Sequence, residues 1–272
     1  KKENVLVMEI FTLAFMQRAM VVAIFISIIT PLIGNIIVLK RLSTIGDALS
    51  HASLAGVAIG LCFSLSPVLV AVIFSLLSAL TIEYIRRSFP NYSEIATAIV
   101  LSFGVGVAAI FSGFVKNAAT FNSFLFGSIV AISTLELITV ILLSIAVIIT
   151  MLILYRELFY ISFDEEGAEL SGVKVKRVNL VFTMLTAIVV SIAARTVGSL
   201  VISSLMIIPV ACAMLISKSY KQNIILSVIF ALIFTTAGLI VTAFYDLKPG
   251  GTIVLIGIAV LLIIVIISRK QR

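Results

Sequence analysis

Residues 39–60 read LKRLSTIGDALSHASLAGVAIG. After the basic pair Lys40 and Arg41, the segment is almost entirely small or apolar, yet it carries Asp47 and His51. Residues four apart on an α-helix lie one above the other on one face, so the carboxylate and the imidazole share a face. His51 is the only histidine in the chain. Ionisable groups in an apolar span are costly and functional by default. An acid and an imidazole at this spacing suit a borderline divalent metal ion, or a mutual hydrogen bond. A lone histidine in an apolar run is more often a satisfied core residue; the aspartate one turn away shifts the weight toward metal handling or gating. Two ligands are too few for tight binding, whereas a twofold copy supplies four, the number zinc prefers. Ser50 and Ser53 adjoin the pair, as hydrogen-bond donors to it or, more plainly, as small residues for helix packing.

The rest of the chain repeats the apolar character of this segment. Of 272 residues, 62% are hydrophobic and 11% charged, against about half and about a quarter in soluble domains. Apolar stretches long enough to cross a hydrocarbon core of about 30 Å recur from end to end. They predict nine spans, near 10–39, 46–64, 67–85, 93–114, 134–155, 177–194, 197–217, 222–244 and 251–268, or eight if one segment lies along the interface. Segment 120–132, TFNSFLFGSIVAI, is too short to span and predicts a re-entrant or surface helix. No hydrophilic stretch is long enough for a second domain, so residues 1–272 are read as one all-α transmembrane domain. No cleavable signal peptide is expected, because the N-terminal apolar run continues past Pro31 without a small-residue cleavage site. Cys62 and Cys212 lie inside apolar runs, form no CxxC, and are read as small core residues.

The net charge of +7 points to the membrane rather than to nucleic acid, because the basic residues sit in short loops between spans. Lys40, Arg41, Arg86, Arg87, Arg156, Lys174, Lys176, Arg177, Lys218, Lys221, Arg269, Lys270 and Arg272 fall on one side, 13 of the 19. The positive-inside rule puts that side, and the C-terminus, in the cytoplasm; nine spans then leave the N-terminus outside.

Other polar positions carry weaker signals. Glu136 and Asp246 lie at outer span ends, where they can face incoming substrate or a docking partner. Pro209, in SSLMIIPVACA, frees a helix carbonyl and marks either the pathway or helix packing. Glu83 and Glu94 read as solvated interface charge, and Arg195 as a snorkelling outer residue. The longest cytoplasmic connection, 156–176, is RELFYISFDEEGAELSGVKVK. Within it Asp164–Leu170 predicts a short helix with acids in its first turn, where they suit the helix dipole, and Gly172 stands where a C-terminal capping glycine belongs. A solvated loop helix is the plain reading; a helix offered to a groove on another protein is the functional one.

Five stretches together resemble the zinc/manganese class of ABC permeases: LKRLSTIGDALSHASLAGVAIG (39–60), FNSFLFGSIVAIS (121–133), FDEEGAELSGVKV (163–175), VGSLVISSLMIIPVACA (197–213) and FYDLKPGGTIVLI (244–256). Their order covers nearly the whole chain. The resemblance implies a permease fold like that of the vitamin B12 importer, shortened at the N-terminus, in a bacterial cytoplasmic membrane. It implies a second copy of the chain, a dimer of cytoplasmic ATPase subunits, and an extracytoplasmic metal-binding protein. It implies that Asp47 and His51 line the path, and that 163–173 is the coupling segment, with Asp164, Glu165, Glu166, Gly167, Ala168, Glu169 and Gly172 facing the ATPase. Zinc is the expected cargo, with manganese and iron as alternatives, and no permanently bound cofactor is expected.

The chain contains no GxxxxGK[ST] pattern, so ATP hydrolysis is expected on a separate subunit and this chain is not expected to be an enzyme. A gradient-driven secondary metal transporter would also need buried ionisable groups, but not the coupling segment. An intramembrane metalloenzyme would need three protein ligands and a general base, more than one histidine and one aspartate provide.

Overall fold

The computed structural model describes residues 13–89, 92–128, 132–245 and 247–270. Every regular element among them is helical, as expected where backbone polar groups must be satisfied within one segment. In order they are α1 (Ala14–Leu39), α2 (Thr44–Cys62), α3 (Pro67–Ser88), α4 (Ser93–Ser112), the short α5 (Ala118–Phe126), α6 (Thr134–Ile153), α7 (Tyr155–Phe163), α8 (Glu165–Leu170), α9 (Val175–Thr196), a 3-10 turn (Ser199–Val201), α10 (Ile202–Ile216), α11 (Tyr220–Tyr245) and α12 (Pro249–Lys270). Eight of these helices are long and apolar enough to cross a membrane.

The helix α10, with 15 residues, is the departure from the predicted nine. The sequence suggests one span over 197–217. In the structure Gly198 takes a positive φ of 98°, the chain makes a 3-10 turn, and only then does the helix begin. A side chain at Gly198 would meet the backbone of Leu125, Phe126 and Gly127 at 2.5–2.7 Å, so the end of α5 occupies the space that a regular helix would need. As predicted, the segment after Lys116 holds a helix too short to span, the nine residues of α5.

Helices α1, α2 and α9 are the most enclosed, while α6 and α12 turn most of their surface outward. Leu255, Leu262, Ile263 and Ile266 are exposed on α12, as suits a lipid-facing helix. α2 takes the centre because its side chains are small. A Cβ on Gly56 would stand 2.7 Å from the Ala71 Cα of α3, and one on Gly104 of α4 would stand 2.8 Å from the Ala52 nitrogen of α2. Such close backbone approach gives helices their cohesion where no water is left to expel. Polar side chains in the core bond back into their own helices: Ser27 donates to Ala23 O at 2.7 Å, Thr30 to Ile26 O at 2.8 Å and Asn35 to Pro31 O at 2.7 Å. Asn223 of α11 donates to the Asn35 side chain across the α1–α11 seam.

Candidate functional site

Two regions hold the sequence-predicted residues: one face of α2, and the connection between α6 and α9 that carries α7 and α8.

On α2, Asp47 lies in the first turn, where the helix dipole favours a carboxylate. Thr44 and Asp47 are exposed and His51 is half-buried, whereas Leu54, Ala55 and Ala58 further along are buried. An otherwise enclosed central helix is therefore left open along its first two turns, on the face that carries the acid and the imidazole. Neither side chain takes an ion pair among the described residues, and no cluster of three or more histidine, cysteine or acidic side chains able to hold a metal occurs among them. One copy of the chain thus presents two potential ligands on an open face.

What fixes that face is packing behind it. α4 presses on α2 at His51, where a Cβ on Gly104 would stand 3.0 Å from the His51 carbonyl carbon. α10 approaches at Gly46, next to Asp47, where a Cβ would stand 2.8 Å from the Ser203 hydroxyl. Ser50 is buried and donates to Asp47 O at 2.9 Å, bonding to the backbone of its own helix, while Ser53 is buried on the packed side. Gly104 was not singled out from the sequence; a glycine within an apolar span was the available signal.

Two other pathway candidates, Glu136 and Pro209, serve helix structure and packing elsewhere. Glu136 closes a capping box at the start of α6: its carboxylate accepts from Ser133 N at 2.8 Å while Ser133 Oγ accepts from Glu136 N at 3.2 Å. Pro209 is buried inside α10 and lines a tight apolar seam with Phe234 of α11 and Ile253 and Gly257 of α12. Asp246 lies outside the described residues.

In the connection between α6 and α9 Asp164 is the N-cap of α8, accepting from Gly167 N at 2.9 Å. A Cβ on Gly167 would collide with that carboxylate. The helix ends in a Schellman motif: Val173 N donates to Ala168 O and Gly172 N to Glu169 O, each at 3.0 Å, with Gly172 at φ 88°. Ala168 is fully buried, while Glu166 and Glu169 are exposed and Leu170 is 90% exposed at the tip. A large apolar side chain at that tip is left uncovered among the described residues. An aromatic cluster of Tyr155, Phe159 and Phe163 on α7 with Tyr220 of α11, ring centroids 4.9–6.2 Å apart, anchors the connection to the bundle.

Glu165 points a different way from its acidic neighbours. Its carboxylate lies 3.5 Å from Lys40 Nζ and accepts from Asn179 Nδ2 at 3.0 Å, and Lys40 Nζ donates to Asn179 Oδ1 at 2.7 Å. Lys40 sits in the elbow between α1 and α2, and its side chain is 7% exposed. Burial pulls its ammonium below the ordinary lysine range, and the Glu165 carboxylate works against that shift. Arg86 and Glu83 of α3, themselves 3.5 Å apart, lie close enough to act on Lys40. From the sequence Lys40 reads only as a loop charge, because its partners stand more than 120 residues away.

The model of the ABC 3 transport family matches residues 12–268. A manganese import system permease protein, ScaB of Streptococcus gordonii, is 31% identical over 95% of this chain and 93% of its own. A high-affinity zinc uptake system membrane protein, ZnuB of Haemophilus influenzae, is 26% identical over 93% of this chain and 97% of its own. Among solved structures, PsaBC from Streptococcus pneumoniae in complex with Fab superposes with a TM-score of 0.86 at 29% identity, covering 96% of this chain and 95% of that one.

Proposed function

The chain belongs to the ABC 3 transport family, and from that premise we propose that it is the membrane permease subunit of an ATP-driven importer of divalent metal ions. The observation that carries the site is the uncovered Asp47–His51 face on a helix whose other sides are closed by α3, α4, α9 and α10. A second copy apposed on this face brings two carboxylates and two imidazoles to one axis. Four mixed oxygen and nitrogen donors suit a zinc ion, and imidazole and carboxylate also take other first-row divalent ions. Zinc is the cargo the sequence motifs favour, and manganese is the competing one, supported by a relative of higher identity.

The metal arrives from an extracytoplasmic binding protein and passes between the two permeases. Asp47 offers carboxylate oxygens at the helix start, and His51 offers a ring nitrogen one turn further along. Segment 163–173 docks on a separate cytoplasmic ATPase dimer through its outward side chains, Glu166, Glu169 and Leu170. The basic loops that flank it put this side and the C-terminus in the cytoplasm of a bacterial cell. The single domain spans residues 1–272.

The test is metal uptake by proteoliposomes containing the permease, its ATPase and its binding protein, with zinc, manganese and iron supplied separately. Asp47→Asn and His51→Gln keep side-chain volume while removing a ligand. Because these side chains make no ion pair among the described residues, both variants are expected to fold and to bind the ATPase, yet to lose most uptake. Near-normal uptake by the double variant would move the metal path elsewhere.

A further inference from the structure

Lys40 is the feature of this molecule that its surroundings explain least. Lysine is almost never fully buried unless paired, and a hydrophobic residue would close a packed helix elbow at lower cost in desolvation. Here the ammonium is held in a closed ring of three contacts, Lys40 to Glu165 at 3.5 Å, Lys40 to Asn179 at 2.7 Å and Asn179 to Glu165 at 3.0 Å. The ring joins the elbow before α2 to two consecutive helices more than 120 residues away, at the first turn of α8 and the first turns of α9.

The elbow is stiff. Lys40 N donates to Ile36 O at 2.9 Å, Arg41 N to Val38 O at 3.1 Å, Leu42 N to Ile37 O at 2.9 Å and Ile45 N to Leu42 O at 3.0 Å. Arg41 is held at φ 56°, a left-handed conformation that a non-glycine residue adopts only where its surroundings impose it. From Lys40 the chain reaches Asp47 in seven residues, and Thr44 onward is helix. A displacement applied to the Lys40 ammonium is therefore not absorbed in a slack loop.

We propose that Lys40 is a positioning residue of the transport cycle, forming with Glu165 and Asn179 a clasp through which movement of segment 163–173 is delivered to the helix bearing Asp47 and His51. The inference rests on reading that segment as the part that docks on the ATPase. The clasp divides its labour: Glu166, Glu169 and Leu170 look outward to the partner, and Glu165 looks inward to the elbow. Glu165 is half-exposed, so the clasp sits where the coupling segment meets the bundle, while the ammonium and Asn179 are enclosed within it. Glu83 and Arg86 add one charge of each sign close enough to act on Lys40.

The experiment uses the complete transporter in proteoliposomes and reads three quantities: ATPase retained on the permease, ATP hydrolysed, and metal taken up. Lys40→Met keeps the length of the side chain and removes its charge. It is expected to retain the ATPase and its hydrolysis while metal uptake per ATP falls at least tenfold. Glu165→Gln, a milder change at a half-exposed position, is expected to lower the same ratio at least threefold, and it decides the matter if Lys40→Met does not reach the membrane. Exchanging the charges, Lys40→Glu with Glu165→Lys, is expected to recover more uptake per ATP than Lys40→Glu alone. Leu170→Asp tests the underlying reading separately and is expected to release the ATPase. If Leu170→Asp releases the ATPase while Lys40→Met and Glu165→Gln keep the wild-type ratio, the clasp is only structural and the proposal falls. Loss of ATPase retention in Glu165→Gln overturns it too, because the clasp would then serve docking. If Leu170→Asp retains both the ATPase and uptake, the docking reading itself fails.

Discussion

Replacing Gly104 by alanine tests whether the geometry behind His51 matters. The new Cβ would stand 2.8 Å from Ala52 N and 3.0 Å from the His51 carbonyl carbon, whereas ordinary contacts begin at 3.4 Å. The difference, 3.4 minus 2.8, requires α4 and α2 to separate by about 0.6 Å at the turn that carries His51. Both obstacles are backbone, so no side chain can swing aside. Overpacking of this kind costs about 1–3 kcal/mol, and at roughly 2–4 °C per kcal/mol the melting temperature in detergent should fall by about 2–12 °C. Misplacing a reacting group by 1 Å costs on the order of a hundredfold, so a displacement of this size should lower metal uptake on the order of tenfold. Gly106, two residues on, meets nothing within 4 Å. Gly106→Ala should leave uptake unchanged and raise stability by up to about 1 kcal/mol through helix propensity. Equal melting temperatures for Gly104→Ala and the wild type would refute the close approach. A lowered melting temperature with full uptake would refute the link from packing to transport.

Two further outcomes follow from the proposed coupling segment and from the side of the membrane assigned to it. Replacing Glu166 and Glu169 together by arginine reverses the exposed charge of α8 without touching its cap or its Schellman motif; the permease should reach the membrane while co-purification of the ATPase drops several-fold, and unchanged co-purification would return α8 to a solvated loop helix. A cysteine at Lys174 should resist an impermeant thiol reagent in intact cells while one at Lys248 reacts, and labelling at 174 from outside would invert the topology.

The sequence made the helices legible because apolar length and loop charge are one-dimensional properties. Spacing alone likewise puts Asp47 and His51 on one face, and the acidic start and Gly172 define α8 from sequence. The shortened α10 was hidden, because hydropathy runs unbroken through Val197–Ile216 and only the collision with α5 forces the turn at Gly198. Which side of α2 stays open was hidden as well, since that depends on where α3, α4, α9 and α10 settle. Glu136 shows the reverse case: Ser-x-x-Glu before an apolar run is the capping-box pattern, so its structural role was already written in the sequence. Lys40 was legible as a charge but not as a clasp, because nothing local in LKRLS names Glu165 or Asn179.

The short α10 bears on the wall beside the Asp47–His51 face. Its 15 residues rise only about 22 Å, roughly 8 Å less than the hydrocarbon thickness of a typical bilayer. The missing length falls at the end where the turn Ser199–Val201 precedes the helix, and irregular backbone at membrane depth persists only where protein or water covers it. The helix accordingly begins beside the Asp47–His51 face, with Ser203, its second residue, against Gly46. The remaining length on this side is taken by the turn and by the end of α5 packed on Gly198, so the wall next to the face is irregular backbone rather than a closed helix.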